Sequence, residues 1–285
     1  MSRANLALTM WVLFVIGVFI SPLSEWWAVV NLLLLLVSVI YHLQAIYPFS
    51  FLHKVELVRT KKRDQVIKVL TCNVRQKNKN YKRLIALIQE VNPDLVLLTE
   101  VDQPWVDAVM QVKSHYPHRI LHPQENTYGM ALFSKYPLHY SEVRFLVEKD
   151  VPSIHTQVDF KGKYIQFFGL HPRPPAYSNE VRNKNLELMK VAALIDYKTL
   201  PAIVGGDLND VGWSNITKKF KSTSGLLDPR VGRGLFCTYN ALIPVFRIPV
   251  DHFFVSPHFK LLTIKRLKKV GSDHFPILLE LNLES

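Results

Sequence analysis

The stretch Ala202-Ile203-Val204-Gly205-Gly206-Asp207-Leu208-Asn209 shows most clearly how this chain is organised. A short apolar strand runs directly into a carboxylate and an amide that lie two residues apart. Gly-Asp-x-Asn is most often an ordinary Asx turn, and two polar groups behind an apolar strand make a functional site the alternative interpretation. The same arrangement, a strand that stops at a polar side chain, recurs along the chain and indicates both the fold and the site.

Strands and amphipathic helices alternate from residue 66 onward, which predicts an α/β domain. Strands outnumber helices, so two stacked sheets with helices outside fit the pattern, although a single sheet fits it as well. The predicted strands are 66–72, 95–99, 130–134, 154–160, 164–170, 202–205, 252–255 and 277–281, and the predicted helices are 79–91 and 179–197.

The polar side chains at the strand ends are carboxylates, amides and imidazoles, which suit an oxygen-bound hard cation with a phosphate beside it. Each one alone has a commonplace explanation as a turn, cap or solvated loop residue. The chain has no nucleophile elbow and no glycine-rich phosphate loop, so water is the expected nucleophile. The residues are Asn73, Glu100, His171, Asp207, Asn209, Asp251, Asp273 and His274.

Composition excludes several classes of protein. The chain has 285 residues, of which 48% are hydrophobic and 20% charged, which is too apolar for a disordered protein. Its two cysteines, Cys72 and Cys237, exclude a disulfide scaffold and a four-cysteine zinc site. The formal net charge of +12 indicates an anionic partner, which could be nucleic acid, a phosphorylated small molecule or an acidic membrane surface.

The first 49 residues are almost free of charge and contain two apolar runs, 5–20 and 26–47. The first run is short for a membrane span of about 30 Å, whereas the second is long enough. A proline-containing turn over 21–25 separates them. We interpret residues 1–49 as a membrane anchor of two helices. Two alternatives stay open at this point: a cleaved signal peptide followed by one anchor, and a helical hairpin buried in the globular core.

Charges on either side of the anchor predict its orientation. Arg3 precedes the hairpin and five cations follow it, whereas the turn has no lysine or arginine, so the positive-inside rule places the domain in the cytoplasm. The expected location is the cell membrane, in a bacterium the inner membrane. We interpret 50–65 as a basic linker that is either solvated or held against anionic lipid. The five cations are Lys54, Arg59, Lys61, Lys62 and Arg63.

The order of the polar motifs resembles the endonuclease/exonuclease/phosphatase superfamily, which includes deoxyribonucleases, abasic-site endonucleases, inositol polyphosphate phosphatases and neutral sphingomyelinases. An apolar hairpin before a basic domain is similar to membrane-associated bacterial members. The resemblance implies a four-layer α-β-β-α sandwich, with the catalytic domain over 66–285. The matching motifs are 71–74, 98–101, 128–134, 170–172, 205–209, 250–254 and 271–276.

The resemblance also implies roles for the metal site. Asn73 and Glu100 would hold a divalent cation, Mg²⁺ or Mn²⁺, or its water, with Asp273 nearby. Some nuclease members have an acid where this chain has Arg75, which favours a more anionic substrate. Many members have Gln where Thr99 stands.

Five further residues resemble the catalytic groups of the family. His274 would be the general base, oriented by Asp251. Asp207 would position the attacking water and Asn209 would donate to a phosphoryl oxygen. His171 would contact or protonate the phosphate. A base that is oriented by a third group, with donors aimed at the developing charge, is what phosphate ester hydrolysis requires.

Outside the motifs, three arginines are candidate substrate contacts because guanidinium groups bind phosphate bidentately. They are Arg173, Arg230 and Arg233. A run of cations over 265–269 could steer an anion or lie on lipid, although a solvated face is the simpler interpretation. Trp213 could stack on a base or an acyl chain, or pack in the core.

Three functions are compatible with the sequence. The first is a metal-dependent phosphoesterase with a lipid-derived substrate, favoured by the anchor. The second is a weakly sequence-specific nuclease, favoured by the basic charge. The third is a non-catalytic, membrane-tethered binding module, which the complete set of catalytic residues disfavours. The expected partners are a phosphate ester substrate and a membrane, and no protein partner is inferred.

Overall fold

The computed structural model describes residues 3–20, 25–174 and 177–284, with side chains from residue 6 onward. This part of the chain contains six α-helices and eleven strands. The helices are α1 (Arg3–Ile20), α2 (Trp26–Ile46), α3 (Tyr81–Val91), α4 (Gln103–Val109), α5 (Ser178–Leu194) and α6 (Asn215–Ser224). The strands are β1 (Val66–Asn73), β2 (Leu95–Thr99), β3 (His118–His122), β4 (Met130–Ser134), β5 (Leu138–Arg144), β6 (Ser153–Phe160), β7 (Lys163–Leu170), β8 (Ala202–Asp207), β9 (Asp251–Val255), β10 (Phe259–Arg266) and β11 (Ile277–Leu283).

The strands form two mixed sheets. One has six strands in the order β10-β11-β1-β2-β4-β3, and the other has five in the order β5-β6-β7-β8-β9. β1 and β2 are parallel, as are β7 and β8, and all other neighbours are antiparallel. The two sheets are therefore separate, which decides between the two arrangements that the strand pattern allowed.

The sheets stack face to face around the main core. Side chains from both sheets, such as Val69 and Leu97 from one and Ile154 and Phe167 from the other, share one buried cluster. The sheets approach so closely that a Cβ on Gly169 would lie 2.8 Å from Leu97 Cδ1. Helices α3 and α4 cover the outer face of the first sheet, and α5 and α6 cover the second. This confirms the predicted four-layer α-β-β-α sandwich.

Three strands and two helices escaped prediction from the sequence. The edge strands β3 and β5 have no fully buried residue, so they lack the apolar pattern of a core strand. Helix α6 is rich in lysine, serine and threonine, and helix α4 is only seven residues long. Strand β10 was interpreted as part of a charged surface run because its last residues are exposed cations.

The two N-terminal helices lie against each other and expose most of their apolar side chains. The segment Trp26–Phe49 is long and apolar enough to cross a membrane, and only 11% of its most apolar window is buried. Leu6–Ile20 is apolar but shorter. That exposure is incompatible with a hairpin buried in the globular core. The predicted turn over 21–24 and the Arg3 side chain lie outside the described residues.

The segment 50–65, interpreted from the sequence as a basic linker, packs onto the domain through several of its residues. Leu57 is 1% exposed and belongs to the core between the sheets. Thr60 N donates to Leu261 O at 3.0 Å, and Glu56 accepts from Asp228 N and Lys221 Nζ at 2.9 and 2.5 Å. Because charged residues dominate this segment, its sequence pattern does not reveal that Leu57 inserts into the core.

One edge of the sandwich collects the polar strand ends. The parallel strands β1 and β2 end there at Asn73 and Thr99, and β7 and β8 end there at Leu170 and Asp207. Because β9 and β11 are antiparallel to these neighbours, they begin at the same edge, and Asp207 pairs with Asp251. The topology therefore gathers side chains that lie far apart in the sequence.

Candidate active site

A cleft of about 520 Å³ opens at this edge. It contains most of the residues that the sequence predicts for the site, and it lies between the ends of the two sheets. Its walls are formed by Glu100, Thr127, Tyr128, His171, Pro174, Asp207, Asn209, Asp210, Val211, Tyr239, Ile248, Val250, Asp273 and His274. Asn73 and Asp251 lie behind this wall and contact it through hydrogen bonds.

His274 and Asp251 form a buried pair at the base of the cleft. His274 Nδ1 lies 2.9 Å from Asp251 Oδ2. Since a carboxylate only accepts, we assign the proton of this bond to Nδ1, and Nε2 faces the cleft. Burial lowers the pKa of His274, but the carboxylates of Asp251 and Asp207 outweigh it and raise that pKa to about 10. Without a cation in the site, His274 therefore carries a proton on both nitrogens at neutral pH.

Asp207 is the centre of the cluster. Its Oδ2 lies 3.7 Å from His274 Nε2 and 3.8 Å from His171 Nε2, and it accepts from Asn73 Nδ2 at 3.0 Å. Burial raises the pKa of Asp207, while the two imidazoles act against that rise. Gly206 gives Asp207 its position, because its φ is +138° and a Cβ there would lie 2.0 Å from Leu170 O.

Glu100 and Asn73 make the second part of the site. Asn73 Nδ2 donates to Glu100 Oε1 at 2.8 Å, and the other carboxylate oxygen accepts from Gln76 N at 3.3 Å. Glu100 has φ +60°, a left-handed backbone that turns its side chain back over the end of β1. Burial raises the pKa of Glu100, and the hydrogen bond from Asn73 only partly offsets this.

These donors suit a divalent metal ion. In the described part of the chain Glu100 has no ion pair, and its partial burial makes an uncompensated negative charge costly. Asp273 also faces the cleft, where its Oδ2 lies 3.6 Å from Arg75 Nε. Carboxylate and amide oxygens are the ligands that Mg²⁺ and Mn²⁺ take, and Mg²⁺ needs only one or two carboxylates.

A second trio also has the spacing of a metal site. Ligand atoms of Asp207, Asp251 and His274 all lie within 4.8 Å of one another. We assign this trio to proton handling, because His274 Nδ1 already bonds Asp251 and its raised pKa opposes metal ligation. Glu100 and Asp273 remain the carboxylates open to a cation.

His171 and Asn209 complete the cleft. Burial lowers the pKa of His171 to about 4, so its imidazole is neutral at neutral pH and can donate one hydrogen bond. Its ring lies 5.4 Å from that of Tyr128. Asn209 N donates to Asp207 Oδ1 at 3.0 Å, and Asn209 Nδ2 donates to Pro172 O at 3.0 Å. The second Asn209 bond ties the ends of β7 and β8 together.

The structure contradicts two of the three predicted substrate arginines. Arg230 is 0% exposed and forms a buried ion pair with Asp228 at 2.7 Å. Arg233 is 8% exposed and donates to the backbone oxygens of Pro229 and Leu57. Both side chains hold the loop 228–233 together, so neither reaches the cleft. The guanidinium groups had suggested phosphate contacts, but Asp228 supplies the negative charge that Arg230 requires.

Arg173 lies near the mouth of the cleft but is already paired. It donates to Glu148 at 2.8 Å and to Asp150 at 2.5 Å, and it lies over the Tyr128 ring, 4.6 Å from the centroid. Tyr128 lines the cleft, so Arg173 supports its wall. A direct substrate contact from Arg173 stays a prediction.

Sequence reasoning missed several residues of the cleft. The Tyr239 ring lies 5.0 Å from the His274 ring at an interplanar angle of 47°, in a segment whose sequence has no regular hydrophobic pattern. Asp210 directly follows the predicted Asn209 and pairs with the buried Lys184 at 2.6 Å. Asp210 O also lies 2.8 Å from His252 Nε2, and His252 Nδ1 lies 2.7 Å from Arg230 Nη2. Only long-range contacts reveal these roles.

The end of the apolar segment Trp26–Phe49 packs behind the cleft. Phe49, Trp213 and Val231 form a small buried cluster, and Val211 packs against it while also lining the cleft. Arg230 lies over the Phe49 ring, 5.5 Å from its centroid. Trp213 is thus a core residue, as the simpler of its interpretations had it. Val211 therefore connects the wall of the cleft to the cluster that contains Phe49.

Comparisons with known proteins agree with this fold and identify the family. Residues 70–274 match the sequence pattern described as the Endonuclease/Exonuclease/phosphatase family. No curated protein matches the sequence. The fold is similar to an endonuclease/exonuclease/phosphatase of Beutenbergia cavernae DSM 12333, at 19% identity and TM-score 0.66, covering 78% of this chain and 72% of that one.

Two further solved structures share the fold. One is D. rerio TDP2 complexed with a single-strand DNA product, at 17% identity and TM-score 0.63, covering 77% of this chain and all of that one. The other is an endonuclease/exonuclease/phosphatase of Bacteroides vulgatus, at 17% identity and TM-score 0.62, covering 77% and 99%.

Proposed function

Because this chain belongs to the endonuclease/exonuclease/phosphatase family, we propose that it is a membrane-anchored, divalent-metal-dependent phosphoesterase whose substrate is lipid-derived. Members of the family are hydrolases that act on phosphate esters. The observation that supports the proposed chemistry is the cleft itself, which contains His274 with two buried carboxylates and also Glu100, a carboxylate without an ion pair among the described residues. Proton handling and cation binding are thus available on either side of one substrate-sized space.

A divalent cation held beside Glu100 and Asp273 would neutralise charge on the phosphoryl oxygens. Asn73 orients Glu100 through the 2.8 Å bond between Nδ2 and Oε1. Because Asn73 also donates to Asp207, its amide fixes the separation between the two parts of the site. A conservative change at Asn73 would therefore disturb both parts together.

His274 takes the proton of the attacking water at Nε2, while Asp251 stabilises the imidazolium at Nδ1. A general base needs a pKa near the working pH, and that of His274 lies at about 10. A cation in the neighbouring site would lower the pKa of His274 toward neutral pH. Asp207 orients the water, and neutral His171 donates to a phosphoryl oxygen.

The proximity of the anchor supports a lipid-derived substrate. Val211 lines the cleft and packs against the Phe49 cluster, so one residue of the cleft wall contacts the cluster at the end of a candidate span. An enzyme held in this way meets lipid phosphates far more often than soluble ones. The cations that follow the anchor are consistent with a cytoplasmic catalytic domain. Protease protection in oriented vesicles tests that orientation.

A weakly specific nuclease is the second candidate. The net charge of +12 favours binding to a polyanion. The D. rerio TDP2 structure with its single-strand DNA product demonstrates nucleic acid binding for that protein. The two candidates differ in the substrate that should be turned over fastest.

A substrate panel distinguishes these functions. The full chain in detergent micelles with Mg²⁺ is assayed on plasmid DNA, abasic duplex, sphingomyelin, phosphoinositides and a generic phosphodiester. We expect the highest kcat/KM on a lipid substrate, and loss of all activity in Glu100→Gln. Lys268→Met, a change at an exposed ion pair, is the matched control. Highest activity on DNA would favour the nuclease, and no hydrolysis at all would favour a binding module.

A further inference from the structure

An exposed apolar loop stands at the rim of the cleft. Leu242, Ile243, Val245 and Phe246 are 46%, 46%, 57% and 47% exposed, and they follow one another around Pro244. Contiguous large apolar side chains on a protein surface are unusual and indicate an interaction site. The chemistry proposed for the cleft assigns no role to this loop.

The loop has a defined conformation. Asn240 Oδ1 accepts from the backbone N of Leu242 and Ile243 at 2.7 and 3.2 Å. Pro244–Phe246 forms a 3₁₀ turn. Tyr239 N donates to Ile248 O at 3.0 Å and closes the base of the loop. These bonds present the apolar side chains outward at its tip.

The base of the loop belongs to the catalytic cleft. Tyr239 and Ile248 both line it, and the Tyr239 ring lies 5.0 Å from that of His274. Ala241 N also donates to Asp273 O at 2.6 Å. Whatever surface receives the tip of the loop is therefore brought to the mouth of the cleft.

The residues that precede the loop, 232–235, are attached to the end of the anchor. Gly232 N donates to Pro48 O at 2.9 Å, and Leu235 packs on the Phe49 cluster. Three residues lie between Leu235 and Tyr239, and the four Cα–Cα steps span at most about 14 Å. The loop thus lies close to the point where the candidate span ends, where a bilayer surface would be.

Cations surround the base of the loop. Arg247 and Arg266 both lie over the Phe275 ring, at 5.1 and 4.6 Å from the centroid, and Lys265 precedes Arg266. An apolar tip with basic residues behind it is complementary to acyl chains beneath anionic headgroups. Nucleic acid would match the cations but not the apolar tip.

We propose that the loop 240–247 inserts into an anionic phospholipid bilayer and sets the cleft over the phosphate of a lipid that remains in the membrane. The inference rests on the proposed membrane anchoring and narrows the proposed substrate to a bilayer-embedded lipid phosphate ester. The loop orients the cleft toward the bilayer, whereas the anchor only keeps the domain near it.

Fluorescence quenching tests the insertion without any assay of hydrolysis. Phe246→Cys is made in a Cys237→Ser background, since the remaining Cys72 is buried, and is labelled with NBD. Tyr164→Cys is the matched control, because Tyr164 is 43% exposed and lies at the start of β7, whereas the cleft lies at the end of that strand. The full chain is reconstituted in vesicles of phosphatidylethanolamine and phosphatidylglycerol in equal parts.

We expect nitroxide-labelled lipid to quench the probe at 246 and aqueous iodide to quench it poorly, with the reverse at 164. Equal iodide quenching at both sites would overturn the proposal.

In a second measurement, Leu242→Ser/Phe246→Ser should lower hydrolysis of a vesicle-embedded substrate at least tenfold and change that of a soluble phosphodiester less than twofold. Equal losses on both substrates would also overturn it. Absence of hydrolysis by the unmodified protein would instead contradict the proposed function and leave the quenching result to decide.

Discussion

His274 Nδ1 lies 2.9 Å from Asp251 Oδ2, in a pair that is almost completely buried. Two residues separated by 22 others in the sequence thus form one unit that faces Asp207. The arrangement explains why a histidine precedes a core strand: its charge is balanced by two carboxylates. The first prediction concerns this pair.

We expect His274→Ala to lower kcat/KM by about 10²–10⁴-fold, the usual contribution of a general base. Asp251→Asn should add little once the imidazole is absent, because Asp251 acts through His274. A double-mutant cycle on kcat/KM, with melting curves for each variant, measures this. Fully additive losses, or losses that follow the unfolded fraction, would remove the pair from the mechanism.

The raised pKa of His274 also predicts how stability depends on pH. The folded-state pKa of about 10 lies above the ordinary value of 6.5, so the folded protein binds the proton more tightly than the unfolded chain. This contribution is complete below pH 6.5 and is lost as the pH rises toward 10. Urea titrations in EDTA should show that His274→Gln loses this part of the dependence. An unchanged profile in His274→Gln would contradict the assigned charge.

Arg230 should be essential for folding and not for substrate binding. Removing one partner of a buried ion pair leaves an uncompensated charge, so Arg230→Met should cost about 3–5 kcal/mol in free energy of unfolding. Lys268→Met, which breaks an exposed pair with Glu90, should cost at most about 1 kcal/mol. Chemical denaturation measures both. A soluble, stable Arg230→Met protein with raised KM would restore the original interpretation of Arg230 as a substrate contact.

The end of the anchor should contribute to the stability of the catalytic domain. Phe49 is 5% exposed, and Phe→Ala in cores costs about 3–5 kcal/mol, so we expect Phe49→Ala to lie near the lower limit. Phe51→Ala is the control, because Phe51 is 85% exposed and should change stability by less than about 0.5 kcal/mol. A fragment that starts at residue 50 should accordingly melt below one that starts at residue 47. Identical melting would show that the anchor and the domain are independent.

Much of this fold could be predicted from the sequence because its core strands carry local patterns. The strands 95–99 and 130–134 are fully buried and apolar except for their last residues, Thr99 and Ser134, and 202–205 is apolar and buried throughout. The edge strand β5 could not be predicted, since its solvated residues have no such pattern. Local pattern also fails for Leu57, whose burial depends on a distant surface.

The site residues that directly follow buried strands could be predicted from the sequence. Residues whose role depends on contacts in the folded structure could not. Asp207 and Glu100 are such residues, and the structure brings both to one cleft. Arg230 was expected to bind phosphate because the sequence does not show that its side chain is buried over Phe49 and paired with the nearby Asp228. Tyr239 carried no local pattern, since only the return of its segment to His274 gives it a role.

The central claim is that the protein hydrolyses phosphate esters with a divalent cation held by Glu100. The dependence of hydrolysis on Mg²⁺, with and without the Glu100 carboxylate, tests it most directly. Phosphate ester hydrolysis by the full chain is measured against Mg²⁺ concentration for the unmodified protein and Glu100→Gln, with Glu90→Gln as an exposed control. We predict that EDTA abolishes activity, and that Glu100→Gln needs at least about tenfold more Mg²⁺ or is inactive, because the site uses only one or two carboxylates. Normal hydrolysis by Glu100→Gln at micromolar Mg²⁺ would contradict the account.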